Sequence, residues 1–223
     1  AARSQPLTRA LWYVYMKTPC FFALSFGLVL SLQLPSASAA HSLTVTVYVH
    51  DDLADMHDGQ LNEDFFQHWL NEMRRFSQHP IEVIFQRNVK HITDIAYAGM
   101  PSEKLLEAFS QQVYAQQRHR LYSLMDKHLL LTRNSYDHSG LNYNAGLAYF
   151  KQKTAIASVA AYGAAAHEIG HLLGATHEDA ELKFNGWVCE TYTHPRVPAR
   201  SNCYRYSDRN RANITDYLTY NSN

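Results

Sequence analysis

The stretch from His167 to His177 carries the side chains with the most evident chemistry, in the order His-Glu-Ile-Gly-His-Leu-Leu-Gly-Ala-Thr-His. In an α-helix, residues four positions apart share a face, so His167 and His171 can direct one imidazole nitrogen each at the same metal ion. Glu168 can reach a water held by that ion without binding the ion itself. Gly174 can end the helix, because glycine accepts the left-handed conformation at little cost, and His177 can then return as a third ligand.

Three imidazoles and one water form an open tetrahedral zinc site. Zinc lowers the pKa of the bound water and polarises a carbonyl oxygen. Glu168 would take the proton of the water and pass it to the leaving amine. The residues therefore predict one catalytic Zn²⁺ ion bound by His167, His171 and His177, with Glu168 as the catalytic base.

The alternative interpretation is a buried helix rich in Ala and Leu that carries incidental histidines. The chain has 13 His in 223 residues, so the pattern His-Glu-x-x-His alone is only suggestive. Gly174 and His177 at fixed offsets make the pattern far more specific. A helix that buried His167, Glu168 and His171 without a metal would also bear the cost of polar groups lacking partners.

Hydrophobic periodicity predicts an α/β (α+β) fold, a mixed sheet with packed helices. The predicted strands are residues 42–50, 81–85, 128–132, 146–150 and 154–158. The predicted helices are residues 62–78 with Asn62 as the cap, 101–127, the active-site helix 160–173, and a further helix from Ser207. After Gly174 the periodicity fades, which indicates a small irregular C-terminal part.

The motif resembles the signature of the metzincin clan of zinc peptidases, His-Glu-x-x-His-x-x-Gly-x-x-His. Residues 146–149 and the acidic pair Glu178-Asp179 are similar to the reprolysin or adamalysin branch of that clan. This resemblance implies a metzincin-like catalytic domain at residues 41–223. Its upper subdomain would end at about residue 174, and a lower subdomain at 175–223 would close the cleft that binds the peptide.

Metzincins present an edge strand that pairs with the substrate as an added strand. The resemblance assigns this role to Gly146, Leu147, Ala148 and Tyr149; the alternative is an ordinary edge strand without a ligand. The implied function is that of a secreted zinc endopeptidase. Two other functions remain open: a zinc amidase acting on cell-wall or other non-protein amides, and a zinc-containing binding or toxin module with a degenerate site.

One departure from the clan concerns the methionine that lies below the zinc after the third histidine. Every Met in the chain, at positions 16, 56, 73, 100 and 125, precedes the motif. Tyr206 is the nearest match to the missing Met. It could form an apolar floor, its hydroxyl could face the zinc or the substrate, or it could be a packing tyrosine, which half-buried tyrosines usually are. Trp187, Tyr192 and Tyr204 are further candidates for the walls of a substrate pocket.

Residues 1–40 read as upstream residues followed by a secretory signal peptide, with Met16-Lys17, an apolar run and small residues suited to cleavage. Export would leave Cys189 and Cys203 as an even pair, which predicts a disulfide in an extracellular or periplasmic protein. Reduced thiols are the alternative if the chain is not exported.

The 20 basic and 20 acidic side chains balance, and residues 1–40 contain three of the basic ones and no acid. The sequence has no cluster of basic residues of the kind that binds nucleic acid. We therefore expect no nucleic-acid partner and, after signal cleavage, no binding to a membrane surface. We expect a monomer whose partner is a protein or peptide substrate. A cluster at His50, Asp51, Asp52, His57 and Asp58 could form a second metal site, although a solvated polar loop is the favoured interpretation.

Overall fold

The computed structural model describes residues 41–139, 142–184, 186–196 and 199–222. The predicted signal peptide at residues 1–40 lies outside these ranges. Along the chain the strands are β1 (Leu43–Val49), β2 (Ile81–Gln86), β3 (Asp126–Thr132), β4 (Tyr136–Ser139), β5 (Asn142–Asn144), β6 (Gly146–Ala148), β7 (Thr154–Ser158), β8 (Leu182–Phe184), β9 (Val188–Glu190) and β10 (Ser201–Asn202). The α-helices are α1 (Asp58–Leu61), α2 (Gln67–Met73), α3 (Ser102–Gln116), α4 (Ala164–Leu172) and α5 (Asp208–Asn221).

A five-stranded sheet with the order β2-β1-β3-β7-β6 organises these elements. The first four of these strands are parallel to their neighbours, whereas β6 is antiparallel to β7 and forms an edge of the sheet. The mixed sheet with packed helices that the periodicity predicts is confirmed. Among the described residues, no helix is both long enough and apolar enough to cross a membrane.

Alternation of side chains along the central strands separates two hydrophobic cores. In β3, Leu129 and Leu131 belong to the larger core, which also holds apolar side chains of α2, α4 and α5, while Leu130 belongs to the core beneath α3. The same alternation in β7 places Ile156 with α3 and its neighbours Ala155 and Ala157 with α4. The sheet therefore carries helices on both faces, and α4 lies on the face opposite α3.

Two predicted helices have different boundaries in the structure. The helix expected to extend to Lys127 ends at Gln116, and Leu121, which continues the apolar spacing beyond it, is 95% exposed and has no core to pack against. The helical segment expected at 62–78 begins at Asp58 and ends at Met73, with a π-helical segment, Asn62–Phe66, joining α1 to α2. His57 is the cap in place of Asn62, since its Nδ1 accepts the Gln60 amide at 3.0 Å.

The C-terminal part consists of a three-stranded sheet, β10-β9-β8, followed by α5. Cys189 in β9 forms a disulfide with Cys203, one residue beyond β10. The predicted pairing of these cysteines is thus present. Ser207 caps α5 by accepting the Asn210 amide at 3.1 Å, so the helix begins where the sequence indicates.

Lys127 in β3 is a fully buried cation that joins three parts of the fold. Its Nζ donates to the carbonyl of Leu172 at the end of α4 (3.0 Å), to the carbonyl of Gln152 (2.8 Å) and to the hydroxyl of Tyr217 in α5 (2.6 Å). Burial lowers the pKa of Lys127 to about 7. Three acceptors match all three N–H donors of the charged amine, which offsets the cost of burial.

We predict that Lys127→Met lowers the free energy of unfolding by about 3 kcal/mol, because three buried acceptors lose their donor. Urea denaturation of the full chain measures this. Lys90→Met is the matched control, because Lys90 is exposed and its replacement should change stability by less than about 0.5 kcal/mol. If both substitutions changed the free energy of unfolding by the same small amount, the three hydrogen bonds of Lys127 would not stabilise the fold as proposed.

Candidate active site

Helix α4 positions two of the three motif histidines, and its end positions the third. Gly174 has φ 92°, a left-handed conformation that glycine adopts without strain. The Ala175 amide then donates to the Gly170 carbonyl at 2.9 Å, which closes the helix and reverses the chain toward His177. Lys151, in the turn between β6 and β7, donates its amide to the His171 carbonyl at 3.0 Å. The helix end is therefore held by both the glycine turn and the sheet.

The imidazoles of His167, His171 and His177 converge on one point. The Nε2 atom of His177 lies 2.9 Å from that of His167 and 3.0 Å from that of His171. Two imidazoles on a tetrahedral zinc ion have their nitrogens about 3.3 Å apart. Within the described ranges, this is the group of His, Cys, Asp or Glu side chains close enough together to hold a metal ion. The arrangement therefore fits zinc.

Main-chain groups fix the orientation of two of these rings. His171 Nδ1 donates to the Ala175 carbonyl at 2.8 Å, which leaves Nε2 as the metal-facing lone pair. The His167 ring is hydrogen-bonded to the main chain of Tyr192. Burial and the two neighbouring imidazoles lower the pKa of His167 to about 3, and burial also lowers the pKa of His171. Both rings are thus neutral near pH 7, the state that binds a metal.

Glu168 lies on the next position of α4 and is buried beside the edge strand. Burial raises the pKa of its carboxyl to about 8. A Cβ atom on Gly146 would come within 2.5 Å of Glu168 Cγ and 2.6 Å of its Oε1. Gly146 is therefore a glycine because the carboxyl group of Glu168 occupies the space where a side chain would stand.

Tyr206 lies beneath α4 and does not face the histidine cluster. Its side chain has no exposed surface. Its hydroxyl donates to the Ala166 carbonyl at 2.6 Å and accepts from Trp69 Nε1 at 3.1 Å. A Cβ atom on Gly170 would lie only 2.8 Å from the Tyr206 ring. The expected substrate contact of Tyr206 is wrong, and the packing alternative describes it.

The segment around Tyr206 is tied to α2 by a buried acid. Glu72 accepts the Tyr206 amide at 2.9 Å and pairs with the Arg211 guanidinium through two contacts of 2.8 Å. Asn210 holds the segment before His177 in the same way, since its side chain accepts the Thr176 amide at 2.8 Å and donates to the Thr176 carbonyl at 2.9 Å. The motif does not reveal these residues. The one indication in the sequence is Glu72 itself, an acid on the apolar face of α2 that needs a buried partner.

The remaining predicted site residues divide by exposure. In the edge strand, Leu147 and Ala148 are half-buried and Tyr149 is 40% exposed. Of the pocket-wall candidates, Tyr192 is buried, which corrects its assignment as a wall, while Trp187 and Tyr204 are exposed.

The cluster around His50 is not arranged as a metal site. His50 Nδ1 accepts the Asp52 amide, His57 caps α1, and Asp58 pairs with Arg87 at 2.7 Å. These side chains serve the loop that they belong to. The favoured interpretation of a polar loop agrees with these contacts.

Comparison with known proteins identifies the family. A model of metallo-peptidase family M12B, reprolysin-like, matches residues 61–178, more than half of the chain. The chain belongs to the reprolysin-like metallopeptidases of family M12B. This membership confirms the predicted enzyme class, a zinc metallopeptidase, and the predicted zinc cofactor, which the three-histidine group could hold.

The fold of a solved structure, at low sequence identity, is similar to that of this chain. Archaemetzincin from Methanopyrus kandleri has a TM-score of 0.51 and 15% identity, over 83% of this chain and 99% of that chain. A zinc-dependent peptidase from Methanocorpusculum labreanum has a TM-score of 0.47 and 15% identity, over 76% and 99% of the two chains. No curated protein matches the chain in sequence. The archaemetzincin likeness confirms the metzincin-like fold of this M12B chain.

We predict that Tyr206→Phe lowers the free energy of unfolding by about 2 kcal/mol, because the buried Trp69 N–H and Ala166 carbonyl lose a partner. Zinc content should stay the same, since the hydroxyl does not face the histidines. Urea denaturation and metal analysis measure the two effects. Tyr204→Phe, at a half-exposed ring, is the control and should change stability by less than about 0.5 kcal/mol. Loss of zinc in Tyr206→Phe would show that the hydroxyl acts at the metal.

We predict that Gly146→Ala lowers kcat/KM for peptide hydrolysis at least about tenfold, because the methyl group displaces the Glu168 carboxyl. Zinc content should not change, since the three heavy atoms nearest to the added Cβ all belong to Glu168, which is not a ligand. Gly59→Ala adds the same methyl group in α1 and should leave kcat/KM within about twofold. Wild-type activity of Gly146→Ala would contradict the close packing of Gly146 on Glu168.

Proposed function

We propose that the chain is a secreted zinc endopeptidase in which His167, His171 and His177 hold the zinc ion and Glu168 is the catalytic base. The observation that carries the proposal is the convergence of the three Nε2 atoms, two pairs of which lie 2.9 and 3.0 Å apart. Glu168 directly follows the first ligand, His167, and lies three residues before the second ligand, His171. A carboxyl group so placed serves the same reacting centre as the ligands.

Glu168 has two successive roles in this proposal. A zinc ion at the three imidazoles would supply Lewis acidity to the water and to the peptide carbonyl. Glu168 accepts a proton from the attacking water as the new carbon–oxygen bond forms. It then donates that proton to the amine nitrogen as the carbon–nitrogen bond breaks.

The edge strand β6 is the proposed binding site of the substrate backbone. Its Gly146 lies against Glu168, so an extended peptide added to this edge would pass beside the catalytic base. The Tyr149 amide donates to the Thr154 carbonyl in β7, so by alternation the main-chain groups of Gly146 and Ala148 face the free edge and would pair with the substrate. Such main-chain hydrogen bonds depend little on sequence. Binding by an added strand engages several consecutive residues, and this favours an endopeptidase that cuts within a chain. The substrate would lie in a cleft between residues before and after Gly174.

Secretion rests on two features of the chain. Residues 1–40 have the pattern of an export signal, and the disulfide between Cys189 and Cys203 is of the kind that persists in oxidising compartments. We propose an extracellular or periplasmic location and a monomer.

Glu168→Gln tests the catalytic assignment. We expect about one zinc ion per chain in both wild type and variant, because Glu168 is not a ligand, and a loss of kcat of about 10³-fold in the variant. Metal analysis and cleavage of a peptide library measure these values. Glu178→Gln is the matched control at an exposed carboxylate just after His177, and its kcat should stay within about threefold.

Three other outcomes would redirect the proposal. Near wild-type cleavage by Glu168→Gln would remove Glu168 from the mechanism. Zinc binding with hydrolysis of cell-wall amides but not of peptides would indicate the amidase. Zinc binding without any hydrolysis would indicate a binding module.

A further inference from the structure

A groove of about 420 Å³ lies beside the edge strand, between Leu147–Tyr149 and the first two turns of α3. Its size falls within the range of ligand-binding pockets. Glu103, Lys104 and Glu107 of α3 form its polar wall. The groove is therefore continuous with the edge to which we assign the substrate backbone, but it lies on the α3 side of that edge, away from the histidines.

The alternation of β6 decides which substrate side chains would reach the groove. Gly146 is against Glu168, and Ala148 packs with the core that contains α4, whereas Leu147 packs with the core beneath α3. A peptide strand added to β6 follows the same pleat. Every second side chain of the peptide would thus point toward α3 and the intervening ones toward α4.

The direction of an added strand places the groove on one side of the cleaved bond. Strand β6 starts at Gly146, next to Glu168, and runs away from it toward Tyr149. Antiparallel pairing is the commoner arrangement in sheets. An antiparallel peptide would have the residues before its cleaved bond beside Leu147–Tyr149, and so beside the groove.

The polar wall of the groove carries a net negative charge. Glu103 and Glu107 are one turn apart and share a face of α3. Glu107 pairs with Lys104 at 3.2 Å, whereas Glu103 has no cationic partner in the part of the chain that the structure describes. A cationic side chain in the groove would meet both carboxylates.

We propose that this groove selects substrates with a Lys or Arg side chain on the amino-terminal side of the cleaved bond. The inference rests on the proposed function, because it takes β6 as the substrate edge. The selected residues alternate along the peptide: one that faces α3 is recognised, and its neighbours are not. The carboxylates are exposed, so the preference should be roughly fivefold in kcat/KM and should weaken as salt screens the charges.

A peptide library randomised on both sides of the cleaved bond tests the groove. Wild type should enrich Lys and Arg at one amino-terminal position, or at two positions separated by one residue, and 0.5 M NaCl should reduce that enrichment. The double variant Glu103→Gln/Glu107→Gln should lose the enrichment, so that it cleaves Lys-containing and neutral versions of one peptide with similar kcat/KM. Lys104→Gln should strengthen the enrichment, because it frees Glu107.

Glu82→Gln is the matched control, since Glu82 is exposed on β2 at the opposite edge of the sheet. It should keep the wild-type preference. Equal urea midpoints of all variants would show that each is folded. The binding of Lys- and Gln-containing versions of one peptide to Glu168→Gln, with and without the groove substitutions, gives a second readout that needs no turnover.

The outcomes separate the two proposals. Cleavage without a basic preference, or with a preference only after the cleaved bond, would overturn the groove assignment and leave the peptidase intact. A preference that persists in the double variant would do the same. If wild type cleaved no peptide, the proposed function would fail, and the binding comparison would still decide the groove: equal affinity for the two peptides would overturn it.

Discussion

Three imidazole nitrogens must face one point, with two pairs of them 2.9 and 3.0 Å apart, and the rest of the structure has to hold them there. Metal binding requires each ring to direct a lone pair at that point, and lone pairs that face one another repel, so the ring orientations have to be imposed by the surrounding structure. Each ring must be oriented from its far side, as the Ala175 carbonyl does for His171 and the Tyr192 main chain does for His167. The loops that carry these main-chain groups must then be fixed in their turn.

Buried polar side chains at some distance from the metal site do this fixing. Lys127 binds the carbonyl at the end of α4, Asn210 holds the residue before His177, and Glu72 joins α2 to both Tyr206 and α5. Each would be costly to bury alone, and each is matched by donors or acceptors from several elements. The positions of the histidines thus depend on side chains from α2, β3 and α5 as well as on the eleven residues of the motif.

The motif and the sheet could be predicted from sequence because both follow from short-range patterns. Helical spacing places His167 and His171 on one face, Gly174 ends the helix, and β-branched or apolar runs mark β1, β3 and β7. The end of α3 could not be predicted, because Leu121 continues the apolar spacing and only the tertiary structure leaves it exposed. The partners of Glu72 and Lys127 could not be predicted either, because Arg211 and Leu172 are distant in sequence and no local pattern indicates these contacts.

The same limit explains why the sequence allows three interpretations of Tyr206. Tyr206 is the nearest match in the sequence to the methionine of the metzincin clan, but the sequence does not show which way its hydroxyl points. In the structure, Gly170 above the ring and Trp69 beside it leave one position for Tyr206, with its hydroxyl on the Ala166 carbonyl. Gly146 limits the other side of α4 through its contact with Glu168. Two glycines therefore let α4 lie close to its neighbours on both sides, and a helix confined in this way keeps Glu168 and the first two histidines in a fixed relation to β6.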